Sequence, residues 1–311
     1  MQLYNNLRTA PLLALIFAMA LIFNACDNDD GDVSLPLPSM ENIEIGSGNN
    51  GKGIIGRDFH FDMDVVAGEL IDTVLVKIEG SDGNNWNFEV RWDEYRGMKN
   101  TNVHKHFDIP EDAPEGRYNF IIVVIDQNGT QLVETREIEL IDPANLPIEP
   151  LLYLWSLETD QGDSHYVNEL LVNPENVELS RDEILTSMIL IENVKDDGQL
   201  YLILVKKDSG HLPETVGDID FSKSIVYDVY GHTDQEAVYT FGNVLFDGKG
   251  GYDRAVPELA IGAPFDNNSP DPLAITGEKA WESGDYYFGA VYTNSTHNIS
   301  IHHYMEVKVV L

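Results

Sequence analysis

The residues with most chemistry to offer are His104 and His106, together with His60 and Asp62. In an extended strand, side chains two positions apart share a face and lie about 6.5–7 Å apart along it. His104-x-His106 therefore presents two imidazoles on one side. That is workable for one Zn²⁺ or Cu²⁺ ion if a third donor comes from a neighbouring strand. His60-x-Asp62 has the same spacing and supplies that donor if its strand is adjacent. Asp108 continues the row. The competing reading is a solvated strand face, because an alternating strand exposes polar residues for no chemical purpose, and this is the commoner outcome.

Other groupings are weaker. His302 and His303 are neighbours, so they face opposite sides of a strand and cannot easily chelate one ion; His297 lies across a hairpin from them. Asp126-x-Asn128-Gly129 and Asp266-Asn267-Asn268 resemble fragments of Ca²⁺ loops but lack the full ligand series with its terminal Glu. Turn chemistry explains both. Trp86, Trp92 and Tyr95, with Phe88 among them, could stack on a glycan or fill a core. A core is favoured, since immunoglobulin-like sandwiches often bury a tryptophan. There is no Gly-x-Ser-x-Gly, no His-Glu-x-x-His and no P-loop. Carboxylates such as Glu89, Asp93 and Glu94 are plentiful, but a catalytic pair is defined by a gap in space. The expectation is a protein that is not an enzyme.

The elements that must carry these residues are strands. Phe59, Phe61, Met63 and Val65 alternate with His60, Asp62 and Asp64, and Thr73–Ile78 continues the pattern. Tyr118–Ile125 is nearly all apolar, as in a fully buried strand. Asp126–Gly129 is a hairpin turn in which Asn-Gly supplies positive φ, and Leu132–Leu140 returns with alternation. Pro143, Pro147 and Pro150 mark a linker. Strand patterns resume at 151–157, 188–194, 200–205, 225–230, 238–241, 286–293 and 305–311, with long loops over 247–283. Ser180–Glu183 reads as a capping box that opens a short helix near Ile184. Gly116-Arg-Tyr118 and Gly284-Asp-Tyr286 each open a late apolar strand followed by a turn and an alternating strand, as two sandwiches with equivalent closing hairpins would. The fold class is all-β, with two immunoglobulin-like β-sandwich domains in tandem, at 41–142 and 151–311, joined by the linker 143–150.

Several segments of the first domain resemble one family. Ile43-Glu44-Ile45-Gly46, Asn102–Pro110 with its His-x-His-x-Asp-Ile-Pro core, Asp112–Tyr118 and Val124–Gly129 are similar to DUF4625, over about residues 38–142. The resemblance implies an immunoglobulin-like fold in a Bacteroidetes lipoprotein and carries no activity. In the family pattern a histidine often follows the tyrosine; here Asn119 stands in that place.

Residues 1–25 hold one charged side chain, Arg8, and the apolar run Pro11–Phe23 would span about 20 Å as a helix, short of the roughly 30 Å hydrocarbon core. It reads as a signal peptide. Cys26 is the chain's single cysteine, followed by Asp27, Asn28, Asp29, Asp30 and Asp32. This resembles the lipidation site of a bacterial lipoprotein, with Phe23 and Asn24 departing from the usual residues before Ala25. The acidic cluster resembles a surface-export signal. The expectation is a lipid anchor at Cys26, an acidic tether over 26–40, and a place on the outer-membrane surface. With one cysteine, no intrachain disulfide can form. Against 53 acidic residues stand 19 basic ones, a net charge of −34, which disfavours nucleic acid. The functional expectation is non-catalytic binding or adhesion, within an outer-membrane complex or on a glycan. A bound divalent cation (Zn, Cu or Ca) is the alternative.

Overall fold

The computed structural model describes residues 35–81, 83–159, 162–172 and 177–311. The expected signal peptide, Cys26 and most of the expected tether lie outside the described residues. The expected all-β class is what the chain adopts. Helical structure among the described residues consists of short 3₁₀ turns.

Eight strands form the N-terminal group: β1 (Ser39–Ile45), β2 (Lys52–Ile54), β3 (Asp58–Val66), β4 (Ile71–Gly80), β5 (Asn87–Trp92), β6 (Asn100–Asp108), β7 (Gly116–Asp126) and β8 (Gln131–Ile141). They make a three-stranded sheet, β1-β3-β6, and a five-stranded sheet, β2-β8-β7-β4-β5. The two face each other in a sandwich. Phe61 of β3 stacks on Trp92 of β5 at 5.9 Å and meets Phe120 of β7 at 5.4 Å. The alternation in β3 explains this. Phe59, Phe61, Met63 and Val65 enter the core, while Asp62 and Asp64 point away from it.

Eleven strands form the C-terminal group: β9 (Leu151–Thr159), β10 (Gly162–Val167), β11 (Leu170–Val172), β12 (Val177–Ser180), β13 (Ile184–Lys206), β14 (Ser224–Gly242), β15 (Leu245–Phe246), β16 (Tyr252–Arg254), β17 (Glu258–Ala260), β18 (Gly284–Asn294) and β19 (Ile299–Val310). Strand β13 is the spine. Its first half pairs with β9 and its second with β18, and β14 follows it along the other edge. Register breaks between Ile191 and Gly198 bend the β13–β14 ribbon, so that Trp155 of β9 packs on Phe288 of β18 at 5.2 Å. The result is again two apolar layers face to face. The core of this group, built on Trp155, Tyr227, Tyr286, Phe288 and Tyr292, shares no residue with that of the N-terminal group.

Two expectations need correction. The stretches 188–194 and 200–205 are one continuous strand. No helix opens at Ser180: Glu183 Oε2 does accept from the Ser180 amide at 2.7 Å, but Asp182 takes a positive φ of 66° and Ile184 enters β13 directly. The local bond forms, but the pull of the sheet decides the conformation.

A candidate metal site between the two groups of sheets

Strands β3 and β6 run antiparallel with His60 opposite His106 and Asp62 opposite His104. Directly opposed residues bring their Cβ atoms within about 5 Å, and diagonal ones remain in reach. All three imidazoles therefore gather on the outer face of the small sheet, with ring centroids 5.1–5.2 Å apart. Over this cluster lies a side chain from the other group, Glu214, in the loop between β13 and β14. Its Oε1 is 3.2 Å from His60 Nδ1 and 2.9 Å from His106 Nε2.

That loop is held on both sides of the glutamate. The Tyr304 hydroxyl, on β19, donates to the Pro213 carbonyl, and the Val216 amide donates to Thr293 Oγ1 at 2.9 Å. Thr215 is buried and donates to Asp218 through both its amide and its hydroxyl. Tyr304 can lie flat there because the residue opposite it is Gly289; a Cβ at that position would come within 2.3 Å of the ring.

One donor atom from each of His60, His104, His106 and Glu214 can be chosen so that all four lie within 4.8 Å of one another. Donors around a tetrahedral Zn²⁺ at about 2.0–2.1 Å lie about 3.3 Å apart, so a modest contraction would close the shell. Two further carboxylates stand behind the imidazoles. Asp62 Oδ2 accepts from His104 Nδ1 at 3.0 Å, and Asp58 Oδ2 from His106 Nδ1 at 2.6 Å. A carboxylate can only accept, so both Nδ1 atoms carry a proton, which leaves each Nε2 as the ring atom that could face a metal. This is how metal-bound histidines are oriented.

The cluster concentrates negative charge around the imidazoles. His106 Nε2 and Glu214 Oε1 would repel as two acceptors unless a proton or an ion lies between them. His60 Nε2 is buried and has no hydrogen-bond partner among the described residues, and the Glu44 carboxylate is 3.7 Å from it. Burial alone would lower the pKa of His60, but the Glu214 hydrogen bond and the charges of Glu214, Glu44 and Asp62 outweigh it and raise the value. Burial would likewise raise Glu214; the His60 hydrogen bond and the charges of His60, His302 and His106 overcome that and bring it to about 2. His302 faces the same loop and is pushed down, chiefly by burial.

Of the residues singled out from sequence, His60, His104 and His106 meet. Asp62 is close by as a support for His104 and is not itself one of the four donors. Glu214 and Asp58 were missed. Asp58 was open to discovery, since it continues the row Asp58-x-His60-x-Asp62. Glu214 has no local signal.

Residues 24–141 match the model of the family described as "Domain of unknown function (DUF4625)". The match falls on the N-terminal group of sheets, called the DUF4625 domain below for that reason. This group contributes all three histidines, and the match ends before β9, so Glu214 belongs to a part of the chain that the family does not cover. No curated protein matches this chain in sequence. Among solved structures, dimeric latent PorU from Porphyromonas gingivalis has a TM-score of 0.30 at 9% identity, covering 91% of this chain and 21% of that one. The native form of E. coli alpha-2-macroglobulin scores 0.25 at 7%, covering 88% and 16%. A protein of unknown function from P. gingivalis W83 scores 0.20 at 11%, covering 88% and 99%. This chain thus spans about a fifth of the PorU chain's length.

The other candidates separate from the site. Trp92 and Tyr95 are buried in the core of the DUF4625 domain and cannot stack on a ligand. Trp86 is half-buried against Tyr118 and lines a shallow groove of 320 Å³ with Phe88 and Asn87. His297 binds Asp196 at 2.7 Å, and His303 packs on the Tyr166 ring. The Asp126 carboxylate accepts the Asn128 and Glu69 amides, and Asp266 is paired with the buried Lys279 at 2.8 Å. Both acids are committed to structure.

Proposed function

We propose that this chain is a lipid-anchored, non-catalytic module that binds a transition-metal ion, zinc above all, at the junction of its DUF4625 domain and the C-terminal sheets. The observation that carries this reading is the donor set. Three imidazoles and a carboxylate converge, two of the imidazoles are backed by carboxylates, and the buried nitrogen of the third has no hydrogen-bond partner among the described residues. Nitrogen-rich donors select Zn²⁺ or Cu²⁺ over Ca²⁺, which takes oxygen ligands. Four protein donors fill a tetrahedron, whereas catalytic zinc keeps one position for water. Anchoring through Cys26 and display on the outer membrane rest on the signal-like segment and its acidic follower; a Cys26→Ala chain that still partitions with membranes would sink that part.

Calorimetric titration with Zn²⁺ and Cu²⁺ tests the metal reading. Micromolar or tighter binding is expected, lost in His104→Ala/His106→Ala and weakened at least tenfold in Glu214→Gln. Absence of heat in the parent protein overturns the proposal.

A further inference from the structure

Beside the candidate metal site, the junction opens into a cleft of 270 Å³. Part of its lining is apolar: Ile54 and Phe59 from the DUF4625 domain, Leu146 and Pro147 from the connector, and Ile299 from the start of β19. Small-molecule sites favour such positions, at domain junctions with apolar walls and a few placed polar groups.

The placed group is Lys52. In a chain with 53 acidic residues, most lysines of the described residues have a carboxylate within reach. Lys52 has none: its half-buried ammonium donates to a neutral acceptor, the His297 carbonyl, at 3.2 Å. The cleft's other cation, Arg57, is already paired with Glu149. Holding an ammonium partly out of water without a counter-charge is costly. An anion entering the cleft would offset that cost.

We infer that this cleft binds a small organic anion, with its carboxylate or phosphate head on Lys52 and its apolar body against Phe59, Leu146 and Ile299. The site is coupled to the metal. His60 belongs both to the cleft wall and to the donor set, Asp58 lines the wall and supports His106, and Ser47, also on the wall, lies 3.5 Å from Glu214. A divalent cation would offset the field of Glu214, Glu44 and Asp58, which otherwise repels an incoming anion. The coupling rests on the metal reading; the Lys52 site does not.

Fluorine NMR titrations of the full chain test it, with 4-fluorobenzoate and 4-fluorophenyl phosphate as probes and 4-fluorobenzyl alcohol as the neutral control, each with EDTA and with saturating Zn²⁺. One or both anions should bind even in EDTA. Lys52→Met should weaken them at least tenfold without changing zinc binding, and Ile299→Trp should block them by filling the cleft. Which anion binds more tightly distinguishes a carboxylate from a phosphate ligand. Zinc should tighten the binding severalfold. If neither anion binds the parent protein, or Lys52→Met binds them as well as the parent, the site is overturned. Equal affinity with and without zinc, in a protein that does bind zinc, overturns the coupling alone. Absence of zinc binding with anion binding intact overturns the metal reading and leaves the Lys52 site standing.

Discussion

His60 is the outward residue of an alternating strand, yet its side chain is only 6% exposed because the Glu214 loop covers it. Covered and flanked by carboxylates, it responds to pH in a direction that depends on the metal. Without metal, its raised pKa means that the fold favours the protonated ring. That contribution is full below the ordinary 6.5 and is lost as pH rises through the folded value. Glu214, lowered to about 2, contributes fully above the ordinary 4.5 and less as pH falls from there. In EDTA, these two groups should make the junction firmest between about 4.5 and 6.5, read as a maximum in Tm that Glu214→Gln flattens. Zinc reverses the alkaline side, since the ion needs the neutral ring, so affinity should rise with pH and binding should release protons. Replacing Asp62 by Asn removes the acceptor that orients His104 and should weaken zinc about 10–100-fold in calorimetry, with the fold intact. These histidines were legible because a period of two places them on one face. Glu214 was not, because it stands 154 residues from His60 and only the packing of two sheet systems introduces them.

Among the elements, the paired closing hairpins are the clearest case of sequence speaking for structure. The Tyr118 hydroxyl donates to the carbonyl of Pro114 at 2.5 Å, and that of Tyr286 to the carbonyl of Glu282 at 3.1 Å. Each ring is buried, and each bond reaches four residues back. This is the tyrosine corner of immunoglobulin-like sandwiches, and the Gly-x-Tyr echo marked both. Tyr118→Phe and Tyr286→Phe should each cost about 1 kcal/mol, seen as a drop of a few degrees in thermal unfolding. Strand β13 was harder to read. Asp196-Asp197-Gly198 breaks the apolar pattern as a turn would, but the chain runs through it with Asn193 and Asp196 at positive φ, bending without stopping. A pattern of residue types does not distinguish a bulge from a turn. Gly289 makes a sharper test. Gly289→Ala should dislodge Tyr304 and, through Pro213, misplace Glu214, so zinc affinity should fall further than Tm alone would suggest.

For the molecule as a whole, the junction is polar. Lys52 reaches the His297 carbonyl, Asn50 the Asn298 carbonyl, and Glu214 the histidines. With three donors on one side and one on the other, a bound ion would fasten the two groups of sheets together. Zinc at a hundred times its dissociation constant should stabilise the fold by about 2.7 kcal/mol. Scanning calorimetry should show this as a rise in Tm, and limited proteolysis as slower cleavage of the connector at 142–150. A net charge of −34 adds self-repulsion, so added NaCl should stabilise the metal-free protein more than the zinc form.

The anchoring of Pro213 by Tyr304 has a consequence for biosynthesis. The histidines lie within the first 106 residues, and the sandwich that carries them can close as soon as β8 has been made. Glu214 is translated much later, yet it is not held in place until Tyr304 arrives and β19 docks on β18. A chain arrested before that point would carry a folded DUF4625 domain with its three imidazoles facing water. Capture of the ion at full strength would thus report that synthesis had run through β19, and a product truncated before it would be recognisable by its weak hold on metal.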